Sequence, residues 1–320
     1  MNVRSMLLSI FGKVYGLLGK TFLRKVPGAW NISNIVFKKL WSNVNIIEVQ
    51  GSKMYINVND PDPKMRRTFQ AYGLDLVHEE ATTTLFKQIV KAGDVVLDLG
   101  ANIGYFTLLA AKLVGEKGKV YAFEPEPNNF GYLRKNVEMN NYKNVSAYQK
   151  AVSDTNGKAR LFICPYDSGH HTINQPNGIK KYRPDHRGEI EEIEIDVIAL
   201  DDFLRDKTQR VDVIKIDIEG AEVLAFDGMK NLLKENQNVK IFLEFFPLLI
   251  NEMHSSPEEF IQQLQEEYEF SIFAIARDYS ISNSSEDYIK IHNCAQLMEL
   301  LKRDTDHANL FLTRSLDLKR

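Results

Sequence analysis

From Asp94 to Glu267 the chain alternates short, nearly continuous apolar runs with stretches of helical periodicity. That alternation leaves few folds open. A strand that is apolar on both faces must be covered on both, and intervening helices return the chain for parallel pairing. The expected architecture is a parallel sheet between layers of helix, an α/β fold. Strands are expected at Asp94–Leu99, Lys119–Phe123, Val145–Ala151, Val211–Ile216 and Val239–Phe245. Helices are expected at Tyr105–Val114, Asn128–Met139, Ala221–Leu233 and Pro257–Glu267. About sixty residues separate the third and fourth strands, and within them Gly157–Ile163 and Ile190–Val197 read as an extra strand pair. Phe270–Leu312 supplies closing strands around a helix at Ala295–Lys302. Upstream, Asn45–Asn57 alternates about Gly51-Ser52 as a short hairpin. The two prolines of Asn59-Asp60-Pro61-Asp62-Pro63 then break regular structure. Glu79–Lys91 regains helical spacing, closed by Gly93. Two domains follow from this: an N-terminal extension over 1–78 with a basic helix and a β-hairpin, and the α/β domain over 79–320.

Charge and cysteine usage narrow the function classes. Apolar residues make up 44% and charged residues 26% of the 320, an ordinary globular balance. The two cysteines, Cys164 and Cys294, form no C-x-x-C pair, which argues against a disulfide framework or zinc cage and suits a reducing compartment. The net charge of -3 conceals an asymmetry. Residues 1–47 hold seven bases and no acid, leaving 33 bases against 43 acids in the remainder. A body this acidic is poorly suited to gripping nucleic acid through its phosphates. Val3, Leu7, Ile10, Val14 and Leu17 fall at helical spacing, with Lys13, Lys20 and Arg24 on a neighbouring face. The apolar stretch Met6–Phe11 is too short to span a bilayer and no A-x-A site follows it, so export is not expected. Residues 1–27 read either as a helix packed on the body or on a partner subunit, including a second copy, or as an interfacial helix drawn to anionic lipid. A cytoplasmic location is expected, with the membrane surface as the alternative.

One segment carries the first chemical signal. Val96-Leu97-Asp98-Leu99-Gly100-Ala101-Asn102-Ile103-Gly104 runs from strand directly into helix. Gly100 and Gly104 permit a sharp turn and close approach to a ligand. The helix opening at Gly104 presents unpaired N–H groups and a partial positive charge. Twenty residues beyond Gly104 the second strand ends in Phe123-Glu124-Pro125, where an acid accepts both hydroxyls of a ribose. Nicotinamide-binding loops carry G-x-G-x-x-G to admit a pyrophosphate. Here the spacing is G-x-x-x-G with Asp98 ahead of the first glycine. A carboxylate there repels a pyrophosphate and matches the amino group of a methionine moiety. The cofactor expected is S-adenosyl-L-methionine, leaving as S-adenosyl-L-homocysteine.

The run Asp98–Thr107 (Asp-Leu-Gly-Ala-Asn-Ile-Gly-Tyr-Phe-Thr), then Ala122–Pro125 (Ala-Phe-Glu-Pro), then Ile214–Glu222 (Ile-Lys-Ile-Asp-Ile-Glu-Gly-Ala-Glu) resembles the FkbM family of methyltransferases. The resemblance covers about Glu79 to Pro247. It implies the class I methyltransferase fold: a Rossmann-like, seven-stranded, mostly parallel sheet with helices on both faces and a final antiparallel strand. It implies O-methylation of hydroxyls on sugars or other secondary metabolites. By position it implies that Asp98, Gly100, Ala101, Asn102 and Gly104 hold the methionine part and that Glu124 binds the ribose. Ala151, Val152, Ser153 and Asp154 would border the adenine, with Asp217 also beside the cofactor.

Methyl transfer is an in-line displacement at carbon, in which alignment supplies up to ~7–11 kcal/mol. An alcohol keeps its proton at neutral pH, so a placed base adds ~10²–10⁴-fold. Ile216–Glu222 follows the fourth strand, at the carboxyl edge where open parallel sheets bind ligands. Asp217 and Glu219 alternate about Ile218 and can face one pocket, and the next strand brings Glu244 beside them. Three readings stay open. Asp217, Glu219 and Glu244 hold a divalent metal such as Mg; or Asp217 or Glu219 is a base or substrate clamp without metal; or Glu222 caps a helix and Glu219 is solvated. Ser168-Gly169-His170-His171-Thr172 is a further source, with His170 or His171 as general base. Lys180, Lys181, Arg183, His186 and Arg187 either meet an anionic acceptor or form a solvated loop. The expectation is an O-methyltransferase acting on a hydroxyl of a small molecule, a sugar, glycolipid or secondary metabolite. The alternatives are RNA or protein methylation, weakened by the acidic body and the lack of an Asn-Pro-Pro-Tyr type motif, and a non-catalytic cofactor-binding scaffold.

Overall fold

The computed structural model describes residues 45–57, 59–60, 63–73, 77–164, 171–173, 190–208, 210–279, 281, 286–303 and 305–315. The basic segment 1–27, His170 and the tract holding Lys180, Lys181, Arg183, His186 and Arg187 lie outside the described residues. The chain divides into two compact units: Met1–His78 with Tyr166–Ser168, and Glu79–Pro165 with Gly169–Arg320.

In the first unit, β1 (Ile46–Val49) and β2 (Ser52–Tyr55) pair antiparallel. Gln50 and Gly51, with φ of 52° and 77°, close them. A two-residue hairpin of this twist needs left-handed backbone at both central positions. The turn therefore sits one residue ahead of the Gly51-Ser52 expected from sequence, and Ser52 already pairs with Val49. Pro63 does not end regular structure. It opens α1 (Pro63–Gly73), because a proline's fixed φ suits the first helical position, where its missing N–H would bond nothing. Met65, Phe69 and Tyr72 are buried along one face of that helix.

The second unit begins with α2 (Glu80–Ile89), followed by β3 (Val95–Leu99), α3 (Tyr105–Val114), β4 (Lys119–Phe123), α4 (Pro127–Met139) and β5 (Val145–Tyr148). Next come β6 (Ala151–Val152), β7 (Gly157–Ile163), β8 (Glu191–Ile198), α5 (Leu200–Leu204) and β9 (Val213–Ile216). After them run α6 (Glu222–Asp227), α7 (Lys230–Glu235), β10 (Lys240–Phe245), α8 (Pro247–Glu252) and α9 (Pro257–Glu266). β11 (Ser271–Ile275), β12 (Tyr288–Ile291), α10 (Cys294–Leu301) and β13 (Ala308–Thr313) complete it.

Among the described residues, eight strands form the main sheet in the order β12-β11-β13-β10-β9-β3-β4-β5. The five from β10 to β5 are parallel, and β13 runs antiparallel to both its neighbours. This is the class I arrangement with one strand more than the seven expected, because β12 adds an antiparallel edge on β11. The third parallel strand ends at Tyr148, not Ala151. Ala151–Val152 instead joins β8 in a separate three-stranded sheet, β6-β8-β7. The expected helix Ala221–Leu233 is broken in two at Gly228, where a Cβ would lie 2.0 Å from the carbonyl oxygen of Ser153. Asp201 accepts from the N–H groups of Asn231 and Leu232 and so caps α7.

The sheet's two faces differ in kind. Tyr121, Leu97, Ile214, Ile241, Leu312 and Ile272 form one row across adjacent strands, all within the main apolar core. One residue further along, on the other face, the row reads Ala122, Asp98, Lys215, Phe242 and Phe311. Burying a leucine or isoleucine there would stabilise by ~1.5–3 kcal/mol. A charged pair stands in that place instead. Parallel pairing puts the carboxyl ends of β3, β4, β9 and β10 on one edge. β11 and β10 both oppose β13, so β11 also ends at that edge and β13 starts from it.

Candidate active site

Asp98, one residue from the end of β3, is 3% exposed and accepts from Thr107 Oγ1 in the first turns of α3. Burial raises its pKa to about 6, opposed by the Thr107 bond and the charge of Lys215. Beyond it the N–H groups of Gly100 and Ala101 both donate to Phe123 O at 2.9 Å, which ties the turn to the end of β4. Gly100 has φ 81°, and a Cβ there would lie 1.7 Å from the carbonyl oxygen of Asp217. Gly104 has φ 97°, and a Cβ there would lie 2.8 Å from Leu133 Cδ1. The backbone of Asp217 thus excludes a side chain at Gly100, and left-handed backbone favours glycine at both positions.

Glu124 follows β4 and is 5% exposed. Its Oε2 accepts from Asn102 N–H at 2.8 Å and its Oε1 from Glu126 N–H at 2.9 Å. Burial raises its pKa to about 8 against those two bonds. The Asn129 side chain also hydrogen-bonds this carboxyl, which three groups therefore hold in place. Asn102, with φ 49°, adopts left-handed backbone to deliver its N–H. Ala151, Val152 and Ser153 are buried at the exit of β5, with Ser153 N–H donating to Ile198 O, while Asp154 is exposed.

The second half of the site lies on β9 and β10. Asp217 N–H donates to Leu99 O at 3.0 Å, directly beside the Gly100 turn. Carboxylate oxygens of Asp217, Glu219 and Glu244 lie within 4.8 Å of one another. The expected grouping of these three acids thus occurs in space. Burial, then Asp217 and Glu219, push the Glu244 pKa well up. Glu219 takes left-handed backbone at φ 52°, followed by Gly220 at 99°. Glu222 is buried and accepts from Gly220 N–H at 3.1 Å.

Lys215 is a site residue that sequence reasoning missed. It is 1% exposed, with Nζ 3.4 Å from Asp217 Oδ2 and 5.2 Å from the centre of the Phe106 ring. Burial alone would lower its pKa, but Asp217, Glu79, Glu244 and Asp98 together raise it above the ordinary lysine value. The ammonium is therefore a fixed charge between the cofactor loop and the acid cluster. Its one signal along the chain is a lone base in the apolar run Val213–Ile216.

Thr172 Oγ1 donates to the carbonyl of Glu219 at 2.7 Å, which brings the segment 171–173 to the cluster. His171 Nδ1 accepts from Cys164 N–H at 3.0 Å. A nitrogen that accepts carries no proton, so the neutral ring bears its proton on Nε2. The far side of the cluster comes from residues with no sequence signal. His307 Nε2 lies 3.4 Å from Glu244 Oε1, and its ring sits between Phe246 and Tyr279 with centroids at 5.1 and 4.1 Å. Tyr279 Oη donates to Glu79 Oε1 at 2.7 Å, and Asn309 Nδ2 donates to Glu79 Oε2 at 2.9 Å.

A mostly parallel sheet of this order, with acids after its first two strands and a glycine turn packed on the fourth, defines a Rossmann-like, S-adenosylmethionine-binding methyltransferase fold. The profile of the Methyltransferase FkbM domain matches residues 98–285, and the chain belongs to the FkbM family of methyltransferases. It is similar to Methyltransferase 1 of Beauveria bassiana, 31% identical over 144 residues that cover 42% of this chain and 57% of that protein. It is similar to the 31-O-demethyl-FK506 methyltransferase FkbM of Streptomyces tacrolimicus, 31% identical over 165 residues, 44% and 62% of the two chains. The hexuronic acid methyltransferase AglP of Haloferax volcanii is 26% identical over 162 residues, 50% of this chain and 60% of that one. The chain thus spans less than two thirds of the length of these relatives. Among solved structures, methyltransferase FkbM from Methylobacillus flagellatus aligns with TM-score 0.36 and 14% identity, covering 78% of this chain and 53% of that one.

Proposed function

We propose that the protein transfers the methyl group of S-adenosyl-L-methionine to a hydroxyl of a small molecule, with a sugar or sugar-like ring as the acceptor class. The observation that carries this reading is the contact of Gly100 with Asp217. The turn built for the cofactor and the strand end bearing the acids pack so closely that no side chain fits between them. A methyl donor on the turn would thus lie against a base. Relatives named for a 31-O-demethyl compound and for a hexuronic acid support an oxygen acceptor and, in the second case, a sugar.

When bound, the cofactor would supply an electrophilic methyl carried on a sulfonium, with the neutral thioether of S-adenosyl-L-homocysteine as the leaving group. Asp98 as carboxylate takes the ammonium of the methionine moiety, and Glu124 takes the ribose hydroxyls. Asp217 or Glu219 accepts the acceptor's proton. Lys215 stays charged and keeps the cluster from repelling its own anions apart. His171 has its Nδ1 engaged by Cys164, and in this reading it anchors the segment that Thr172 fastens to Glu219.

A second reading has Asp217, Glu219 and Glu244 hold a divalent cation that lowers the acceptor pKa. Their 4.8 Å spread favours it. Incubation with labelled S-adenosylmethionine and a panel of sugars, glycolipids and cell extract, followed by mass spectrometry, tests the main proposal. Failure to label anything, together with no calorimetric binding of S-adenosylhomocysteine, removes it. Activity that survives EDTA in metal-stripped protein leaves the base reading alone standing.

A further inference from the structure

Among the described residues, three large apolar or aromatic side chains stand exposed: Ile46, Val77 and Tyr279. Only Tyr279, 39% exposed, belongs to the unit that carries the site. Its placement is constrained. The backbone is left-handed at φ 47°, a conformation a bulky non-glycine residue adopts only where its surroundings impose it. The preceding Asp278 accepts from the N–H groups of Ala81 and Thr82 at 3.0 and 2.7 Å, fastening the segment to the start of α2. Arg277 N–H donates to Ile281 O at 3.0 Å and closes the turn. The phenol is held by Glu79 and the ring lies 4.1 Å from that of His307, which in turn reaches Glu244. A continuous chain of contacts thus links an exposed aromatic ring to the acid cluster. Both Tyr279 and the start of β13 lie at the carboxyl edge of the sheet.

We infer that Tyr279 is the floor of an acceptor subsite, which stacks one C–H face of a saturated, polyhydroxylated ring such as a pyranoside. The inference rests on the methyltransferase reading and adds the residue that selects the acceptor. A tyrosine ring offers a large, rigid apolar face at small entropic cost. A pyranoside presents C–H groups on its faces and hydroxyls around its rim. The Tyr279 phenol lies within electrostatic reach of Glu244 and Asp217, so a ring stacked there sits at the sheet edge that carries the acids, with its rim hydroxyls free to donate to carboxylate oxygens. A planar aromatic acceptor would use the same face but would offer the carboxylates no comparable set of donors. His307, which backs the tyrosine and touches Glu244, lies beyond the residues 98–285 that match the family profile. Part of this wall is therefore supplied from outside the matched region.

The test uses the full-length protein saturated with S-adenosylhomocysteine and three probes: methyl β-D-glucopyranoside, methyl β-D-glucuronide and methyl α-L-rhamnopyranoside. Saturation-transfer NMR gives affinity and the face contacted, and calorimetry gives the affinity for S-adenosylhomocysteine in parallel. At least one glycoside is expected to receive saturation on the C–H protons of a single face. Tyr279→Ala should weaken it about tenfold, Tyr279→Trp should restore it, and S-adenosylhomocysteine affinity should stay within about twofold throughout. Sugar affinity unchanged in Tyr279→Ala, or no glycoside bound by the wild type, overturns the subsite. Absence of S-adenosylhomocysteine binding in the wild type fails the methyltransferase reading instead, and that result is read separately.

Discussion

The ammonium of Lys215 lies 3.4 Å from Asp217 Oδ2 inside the sheet, with 2% of its side chain exposed. Register sets Lys215 beside Asp98 on one neighbouring strand and Phe242 on the other. It is the cation through which Asp98 and Asp217, on the ends of two adjacent strands, share a charge balance.

Lys215→Met removes that cation and leaves Asp98, Asp217 and Glu244 without it. Deleting one partner of a buried charge pair costs about 3–5 kcal/mol, and the loss here is expected in that range. Lys215→Arg should recover part of it. Urea unfolding of the three proteins measures this, and a loss below about 1 kcal/mol would show that the lysine is not holding the acids.

The resting protein should be more stable in mild acid than in mild base. Glu124 and Glu222 have pKa values raised by burial to about 8 from 4.5, and Asp98 to about 6 from 3.8. Within those windows the folded chain binds more protons than the unfolded one, so stability falls as pH rises. The contribution is fully present below about pH 4 and is lost as pH climbs through about 8. Thermal melts in mildly acidic, neutral and mildly basic buffer should show a falling Tm, and Glu222→Gln should flatten the trend. A Tm that rises over this range contradicts the burial of these acids.

Cofactor affinity should move the opposite way around pH 6. Pairing with an ammonium needs Asp98 ionised, and its pKa is about 6. Binding of S-adenosylhomocysteine should therefore strengthen from about pH 5 to about pH 7. Asp98→Asn should weaken it by about 1.5–3 kcal/mol, the range for hydrogen bonds to charged groups, and should abolish the pH dependence. Calorimetry across this range decides it. If the Asp98→Asn protein binds as tightly as wild type, Asp98 is not among the cofactor's contacts.

Gly100→Ala tests the junction itself. The new methyl would meet Asp217 O at 1.7 Å, on backbone with φ 81°. Left-handed backbone costs a non-glycine residue ~1–2 kcal/mol and overpacking ~1–3 kcal/mol. Stability is expected to fall by about 2–5 kcal/mol, with cofactor binding lost because the turn must move. Gly131→Ala, where a Cβ meets nothing, is the control. Equal effects from the two substitutions would show that the contact with Asp217 is not what requires glycine.

The sheet's parallel core was legible in the sequence because continuous apolar strands and amphipathic helices are local patterns. Tyr105–Val114 and Lys119–Phe123 fall where periodicity alone puts them. The acids Asp98, Glu124, Asp217 and Glu219 were legible for a related reason: each sits at a strand end, and in a parallel sheet every strand end meets the same edge. Local patterns misled where a distant partner controlled the outcome. At the Gly228 break the Gly228 carbonyl accepts from the remote Asp201 N–H, and Ala151–Val152 pairs with β8 instead of extending the third strand. Glu79, Tyr279, His307 and Asn309 reach the site only through the return of β13 between β10 and β11. No spacing along the chain encodes that insertion. Chain-local patterning was enough for the alternating strands and helices, the cofactor turn and the acids that end the strands. Folding in three dimensions set the rest: which acids burial shifts, which cation balances the cluster and which remote side chains pack beside it. Those properties depend on burial and on distance between residues remote in the chain, and neither quantity exists until the sheet has closed.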